Sequence, residues 1–242
     1  MKNIKFSVIV VSLNEEERIK KTIQSVLSQT YENIEIIVKD GCSTDDTVKN
    51  IPHDERIKIF TEKDTSVYDG MNQALKHITG DYVMWLNCGD LLYDDKVLEN
   101  VAEFFNKNDL NLNSVIYGDY AKDGKIYKQL PKIDKLYLLE AGLCHQSIFM
   151  GSNAVKNFEE FDTSLKICAD YDSMVKAFVN GAKYYYIDIP VCVYAGGGIS
   201  ETGNALSQVK IEGKTIRKKY FSFAYNILYY LIRIKKRILK LF

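Results

Sequence analysis

Residues 6–106 alternate between short continuous apolar runs and longer stretches whose apolar positions recur at helical spacing. Residues 6–11 (Phe-Ser-Val-Ile-Val-Val) predict a strand covered on both faces. Ile19, Ile23, Val26 and Leu27 then mark one face of a helix over residues 15–29, whose acidic start suits the helix dipole. Residues 34–38 form a second apolar run ending at Asp40, after which Thr44 or Asp45 is expected to cap a short helix through Ile51. Residues 57–60 predict a third strand, 67–78 a helix broken by Gly80, 82–86 a fourth strand, and 94–106 an amphipathic helix. Strand and helix in strict alternation are the pattern of a parallel α/β sheet.

After residue 106 the pattern is mixed. Residues 114–117 predict a strand, and the Asp123-Gly124 pair suits a tight hairpin turn. Residues 145–150 read as a strand, 169–180 as a helix ended by Gly181, and 183–187 and 191–194 as two short strands. Gly196-Gly197-Gly198 predicts a flexible loop. This half is expected to wall the sheet edge where an acceptor would sit.

Charge changes the picture at one end. The 242 residues are formally neutral, yet residues 209–242 carry ten Lys/Arg and a single acid, Glu212. Aromatic and aliphatic residues from Phe221 to Ile232 precede a basic run interleaved with Ile234, Ile238, Leu239 and Leu241. The tail therefore reads as a basic amphipathic helix on an anionic membrane surface, with plain packing on the domain as the alternative. No apolar stretch approaches the roughly 20 residues that span a bilayer. Residues 1–5 run straight into the first strand with no signal-type apolar region. Five cysteines without CxxC spacing exclude a zinc ribbon or disulfide framework and point to a reducing compartment.

The candidate chemistry lies in strand-exit loops, the edge where open parallel sheets bind ligands. Asp40, opening Asp-Gly-Cys-Ser-Thr-Asp-Asp-Thr, could accept a nucleobase N–H or simply bond its own turn. Asp90, closing Asn87-Cys88-Gly89-Asp90, could hold Mg²⁺ or Mn²⁺ against a diphosphate, or belong to an ordinary β-turn. Asp170 and Asp172 open the 169–180 helix, as caps or with Asp170 as a general base. His145-Gln146 and the loop through Gly197 and Ser200 could touch a phosphate or sugar, or be structural. The pattern lacks a GxGxxG after the first strand, and Gly213-Lys214-Thr215 has no glycine or strand ahead of it to make a phosphate loop.

Taken together, Val10-Val11-Ser12-Leu13-Asn14-Glu15-Glu16, Ser25-Val26-Leu27-Ser28-Gln29-Thr30-Tyr31, the segment from Glu35 to Thr47, and Val67-Tyr68-Asp69-Gly70-Met71-Asn72-Gln73-Ala74 with Gly80-Asp81-Tyr82 resemble glycosyltransferase family 2. That resemblance, over roughly residues 4–200, implies an α/β fold of the GT-A kind: a Rossmann-like, mostly parallel sheet flanked by helices, here with a C-terminal amphipathic helical tail. It implies a GT-A domain at 1–205, split into a nucleotide-binding half (1–106) and an acceptor-side half (107–205), followed by the tail at 206–242. By position it assigns Ser12, Asn14, Asp40 and Asp69 to the nucleotide, Asp90 to Mg²⁺ or Mn²⁺, and Asp170 to the base. His145-Gln146 and Gly197-Gly198-Ile199-Ser200 resemble a subgroup of bacterial transferases that build exopolysaccharide, capsule and lipopolysaccharide sugars, and His145, Gln146, Gly197 and Ser200 are read as diphosphate or acceptor contacts. The metal segment departs from the family pattern, with Asn87 and Gly89 where carboxylates usually stand, and Ala169 replaces the Glu that usually precedes the base.

The expected function is inverting transfer of a sugar from a nucleotide donor, UDP-linked, to a glycan or polyprenyl-linked hydroxyl in cell-surface polysaccharide synthesis such as capsule or lipopolysaccharide. The expected location is cytoplasmic, peripheral on the inner membrane face, with no nucleic-acid partner. The alternative is a non-catalytic sugar-nucleotide-binding or scaffold subunit; a nucleotidyltransferase would want a glycine-rich basic loop where Ser12-Leu13-Asn14-Glu15-Glu16 stands.

Overall fold

The computed structural model describes residues 2–238 apart from 202 and 204, with side chains described through residue 235. The side chains of Lys236, Arg237 and Ile238, and all of Leu239, Lys240, Leu241 and Phe242, named in the tail reading, lie outside the described residues.

Four strands, β1 (Phe6–Ser12), β2 (Ile34–Asp40), β3 (Ile57–Thr61) and β4 (Tyr82–Trp85), pair in parallel in the order β3-β2-β1-β4. The sequence period of two explains their burial. Phe6, Val8 and Val10 face one core with Ile19, Ile23 and Val26 of α1 (Ile19–Leu27) and with Leu98 and Val101 of α3 (Val97–Lys107). Ile9 and Ile37 face the other core with Tyr68, Met71 and Ala74 of α2 (Val67–Leu75). Apolar side chains on both faces are what a helix-covered parallel sheet demands.

The second half continues the same sheet. β4 pairs antiparallel with β8 (Ile148–Gly151), β8 antiparallel with β6 (Ser114–Lys122), β6 parallel with β9 (Lys183–Val193), and β9 antiparallel with β5 (Leu91–Leu92). β7 (Lys125–Tyr127) returns along β6 through Asp123 and Gly124, both at positive φ (50° and 72°), as a two-residue hairpin turn requires. The sheet is thus parallel in its first half and mixed in its second. Three helices surround the second half: α4 (Lys135–Glu140), α5 (Ser152–Phe158) and α6 (Ala169–Val179). The tail forms α7 (Ala205–Tyr220) and α8 (Phe223–Ile238).

Four expectations are corrected. Residues 44–51 form turns instead of a helix, because Thr44, Asp45 and Asp46 spend their polar groups tying this loop to the one after β1. Residues 145–147 make a 3-10 turn ahead of β8, closed by the Ser147 N–H on the Cys144 carbonyl at 3.0 Å. The two short strands at 183–194 are one, β9, which crosses Pro190 by shifting register against Asp119 of β6. The tail is two helices interrupted at Ser222, and α7 buries Glu212, Gly213 and Ile216 against the domain.

Candidate active site

The loops after β1 and β2 are laced together. Asn14, at φ 55°, receives the Thr44 N–H on its side-chain oxygen at 2.9 Å, while its own N–H reaches Ser43 Oγ at 2.8 Å. The Glu15 N–H donates to Thr47 Oγ1 at 2.6 Å, and the Asp46 N–H to Glu16 at 3.1 Å. A non-glycine residue held in the left-handed region needs such surroundings to stay there.

Behind these loops Lys39 is 1% exposed and makes three bonds, to the carbonyls of Asp40 (3.0 Å) and Glu62 (2.5 Å) and to Asp64 Oδ2 (2.8 Å). Gly41 and Gly70 flank that carboxylate closely: a Cβ on either would meet Asp64 Oδ2 at 2.9 and 3.2 Å. The glycines therefore make room for a paired, partly exposed carboxylate at the floor of a cleft.

The cleft is a cavity of about 920 Å³ along the strand-exit edge. Ser12, Asp90, His145, Gln146, Asp170, Gly197 and Ser200 all line it. Three other candidates do not. Asp40 is fully buried, its carboxylate accepting from the Ser43 N–H (2.9 Å), Ser43 Oγ (2.5 Å) and Ser12 Oγ (3.5 Å). Asn14 is occupied with Thr44, and Asp69 accepts from the Thr65 N–H and hydroxyl at 2.8 and 2.9 Å. Each of the three holds the backbone that forms the wall.

Asp90 is 4% exposed; Gln146 Nε2 donates to one oxygen at 2.9 Å and the Ala195 N–H to the other at 2.8 Å. Burial pushes its carboxyl above the usual range, against the opposing pull of those two donors and of His145 and Arg18. Among the described residues no cluster of three His, Cys, Asp or Glu could cage a metal. Asp90 is the one carboxylate of the Asn87–Asp90 segment, so a Mg²⁺-type ion held by it would need phosphate oxygens and water as its other ligands.

Asp170 stands at the start of α6. His145 Nδ1 lies 3.3 Å from its Oδ2, and the Tyr68 hydroxyl 3.4 Å from its Oδ1. Burial disfavours charge on His145, but hydrogen bonding and Coulomb attraction from Asp170 outweigh it with help from Cys144 and Asp90, so its pKa is raised. Tyr120 and Tyr127, which stack at 5.2 Å and 9°, line the same cavity, as do Tyr137, Leu130 and Leu143. Asp64, Lys39, Arg18 and this tyrosine wall were not singled out by the sequence reading. The one available signal was Gly41 and Gly70, whose small size matters only once Asp64 is seen between them.

Residues 7–165 match the profile of Glycosyl transferase family 2. The chain belongs to that family. It is a glycosyltransferase with a GT-A fold. A PGL/p-HBAD biosynthesis glycosyltransferase of Mycobacterium bovis (strain BCG / Pasteur 1173P2) is 30% identical over 205 residues, covering 81% of this chain and 79% of that protein. The uncharacterized glycosyltransferase RT0329 of Rickettsia typhi (strain ATCC VR-144 / Wilmington) is 30% identical over 219 residues, covering 84% and 68%. Among solved structures, S. aureus TarS 1-349 in complex with UDP-GlcNAc superposes at TM-score 0.69 and 19% identity, over 86% of this chain and 65% of that one. The mannosyltransferase PcManGT from Pyrobaculum calidifontis, in complex with GDP-Man and Mn²⁺, gives TM-score 0.63 and 15% identity, over 100% and 82%. At these identities the structural likeness speaks for the fold, and this glycosyltransferase spans only about two thirds of the TarS fragment.

Proposed function

We propose that this glycosyltransferase moves one sugar from a UDP-linked donor to a hydroxyl of a glycan or lipid-linked glycan, inverting the anomeric carbon in a single displacement. The observation that carries the reading is that Asp90 and Asp170 line one cavity, with His145 and Gln146 between them in sequence and in space. A leaving diphosphate and an acceptor hydroxyl need such groups on opposite sides of one reacting carbon.

In this reading Ser12 and Asp64 face the nucleoside, while Asn14, Asp40 and Asp69 keep its walls in shape. Asp170 takes the acceptor proton as the acceptor oxygen forms its bond to the anomeric carbon. The bond from that carbon to the diphosphate oxygen breaks, and its electron pair leaves with the diphosphate. Mg²⁺ or Mn²⁺, when bound with the donor, supplies positive charge for the departing diphosphate. Asp90 would hold that cation, and Gln146 with the Ala195 N–H keeps the Asp90 carboxylate oriented. The tyrosine wall suits the apolar face of an acceptor ring. UDP and UDP-GlcNAc in the TarS complexes, and Mn²⁺ in the PcManGT complex, support the donor class and the metal by analogy. The mycobacterial relative's name supports a glycolipid or surface-glycan acceptor.

The exposed apolar and basic residues of α8 support a peripheral position at the inner membrane face. α8 leaves Phe223, Ile227, Leu228, Tyr230, Leu231 and Ile234 exposed beside Arg233 and Lys235, and no described helix is long and apolar enough to cross a bilayer. The catalytic role is tested by Asp170→Asn: UDP release with donor and acceptor present should fall by about a thousandfold while UDP binding persists. Near-normal turnover in the folded variant would overturn the assignment.

A further inference from the structure

The tail's single acid is buried. Glu212, in the middle of α7, is 4% exposed, although residues 209–242 otherwise carry ten cations that could have paired with it in solvent. Its carboxylate instead accepts three consecutive backbone N–H groups: Lys166 on Oε1 at 2.8 Å, and Ile167 and Cys168 on Oε2 at 3.0 and 2.8 Å. Gln208, one turn earlier on α7, donates to Oε1 at 2.7 Å and orients the group. These bonds hold the carboxyl below the usual range despite burial, which opposes them.

The three amides belong to the segment that delivers α6. That helix starts at Ala169 with Cys168 as its N-cap residue and no side-chain cap, so the chain entering it lacks the usual local anchor. Glu212 supplies one from a distant helix. From the opposite side the Tyr68 hydroxyl donates to the Ile167 carbonyl at 2.5 Å. Ile167 is thus held at both its N–H and its C=O, three residues before Asp170. The family match ends at residue 165, so the anchor comes from outside the matched segment.

We propose that Glu212 is a positioning residue for Asp170, and that α7 is therefore part of the catalytic apparatus. The inference rests on Asp170 being the base. A carboxylate accepting three backbone N–H groups fixes the plane of each peptide. Losing it lets the start of α6 re-aim the Asp170 side chain against the acceptor.

Full-length Glu212→Gln keeps the size of the side chain and one acceptor oxygen but removes the charge. We expect kcat to fall by roughly tenfold to a hundredfold, as small misplacements of a catalytic group do. The donor KM and UDP binding should stay within about twofold. Gln208→Ala, which removes only the orienting donor, should lower kcat in the same direction and less. The Glu212→Gln/Asp170→Asn double variant should be no slower than Asp170→Asn alone, because the first change acts through the second. Wild-type kcat in both folded Glu212→Gln and Gln208→Ala, with Asp170→Asn inactive, would overturn the positioning role and leave the base assignment standing. Additive losses in the double variant would likewise overturn it. Turnover by Asp170→Asn would instead defeat the base assignment on which the inference stands.

Discussion

His145 Nδ1 lies 3.3 Å from Asp170 Oδ2, and the other ring nitrogen meets the Asn87 side-chain amide at 3.1 Å. One imidazole therefore bridges the loop that carries Asp90 and the helix that carries Asp170. Among the described residues Asn87 Oδ1 is buried without a partner. Reversing that amide lets Oδ1 accept from a protonated Nε2, which suits the raised pKa of His145. Replacing His145 with Gln should lower kcat more than it changes donor KM; a pure KM effect would place His145 on the donor instead.

The same contact has a pH signature. The proton affinity of His145 is raised on folding, so its stabilisation is fully present below the unfolded imidazole value near 6.5 and is lost as pH rises through the higher folded value. The Tm gap between wild type and His145→Gln, measured without metal, should be widest below the unfolded imidazole value, at about pH 5.5, and should narrow as pH rises through the raised folded value. A gap that widens with pH would contradict the ion pair.

Glu35 contributes to the acid limb. It accepts from Ser7 Oγ (2.6 Å), the Thr79 N–H (2.6 Å) and hydroxyl (2.8 Å), and from Lys5 and Lys58 at 3.0 Å each. Burial opposes its charge, but these donors win and hold its pKa at about 2. A depressed acid stabilises above its unfolded value and loses that contribution as pH falls through the folded one. Glu35→Gln should therefore cost on the order of 3 kcal/mol in urea unfolding at neutral pH and much less near pH 2. An equal cost at both pH values would refute the linkage.

Lys39→Met removes a buried cation from three acceptors and leaves the Asp64 carboxylate without its partner. Urea unfolding should show a loss of about 3 kcal/mol, as for other broken buried pairs. The variant should also show a raised KM for the nucleotide donor. Unchanged stability and KM would remove Asp64 from the proposed nucleoside pocket.

Removing residues 221–242 takes away α8 and its exposed apolar face. Co-sedimentation with vesicles containing phosphatidylserine should then drop strongly, while neutral vesicles bind neither form. Unchanged binding to anionic vesicles would defeat the membrane role of α8.

The parallel half of the sheet was legible because both of its faces are helix-covered, which leaves near-continuous β-branched runs such as residues 6–11 and 34–38. That Asp90, Asp170, His145 and Gln146 share one cavity follows from elements that begin or end at the strand-exit edge, a placement visible in the sequence. The second half was harder. Strand β9 runs through Pro190 only because the register shift at Asp119 absorbs it, a tertiary event with no local signature. The helices α4 and α5 are six and seven residues long, too short for a clear period. Sequence gives Asp64 and Glu212 no role, because their partners are a buried lysine and remote backbone groups, and spacing carries no trace of such contacts. Asp40 lay in a recognisable motif, yet its carboxylate is consumed by Ser43 and Ser12.

The anomeric configuration of the product tests the central claim most directly. With an α-linked UDP-sugar donor and an accepted hydroxyl, the anomeric proton coupling in the NMR spectrum of the new glycoside should report the β linkage, as one displacement assisted by Asp170 requires. An α-linked product would contradict an Asp170-assisted single displacement.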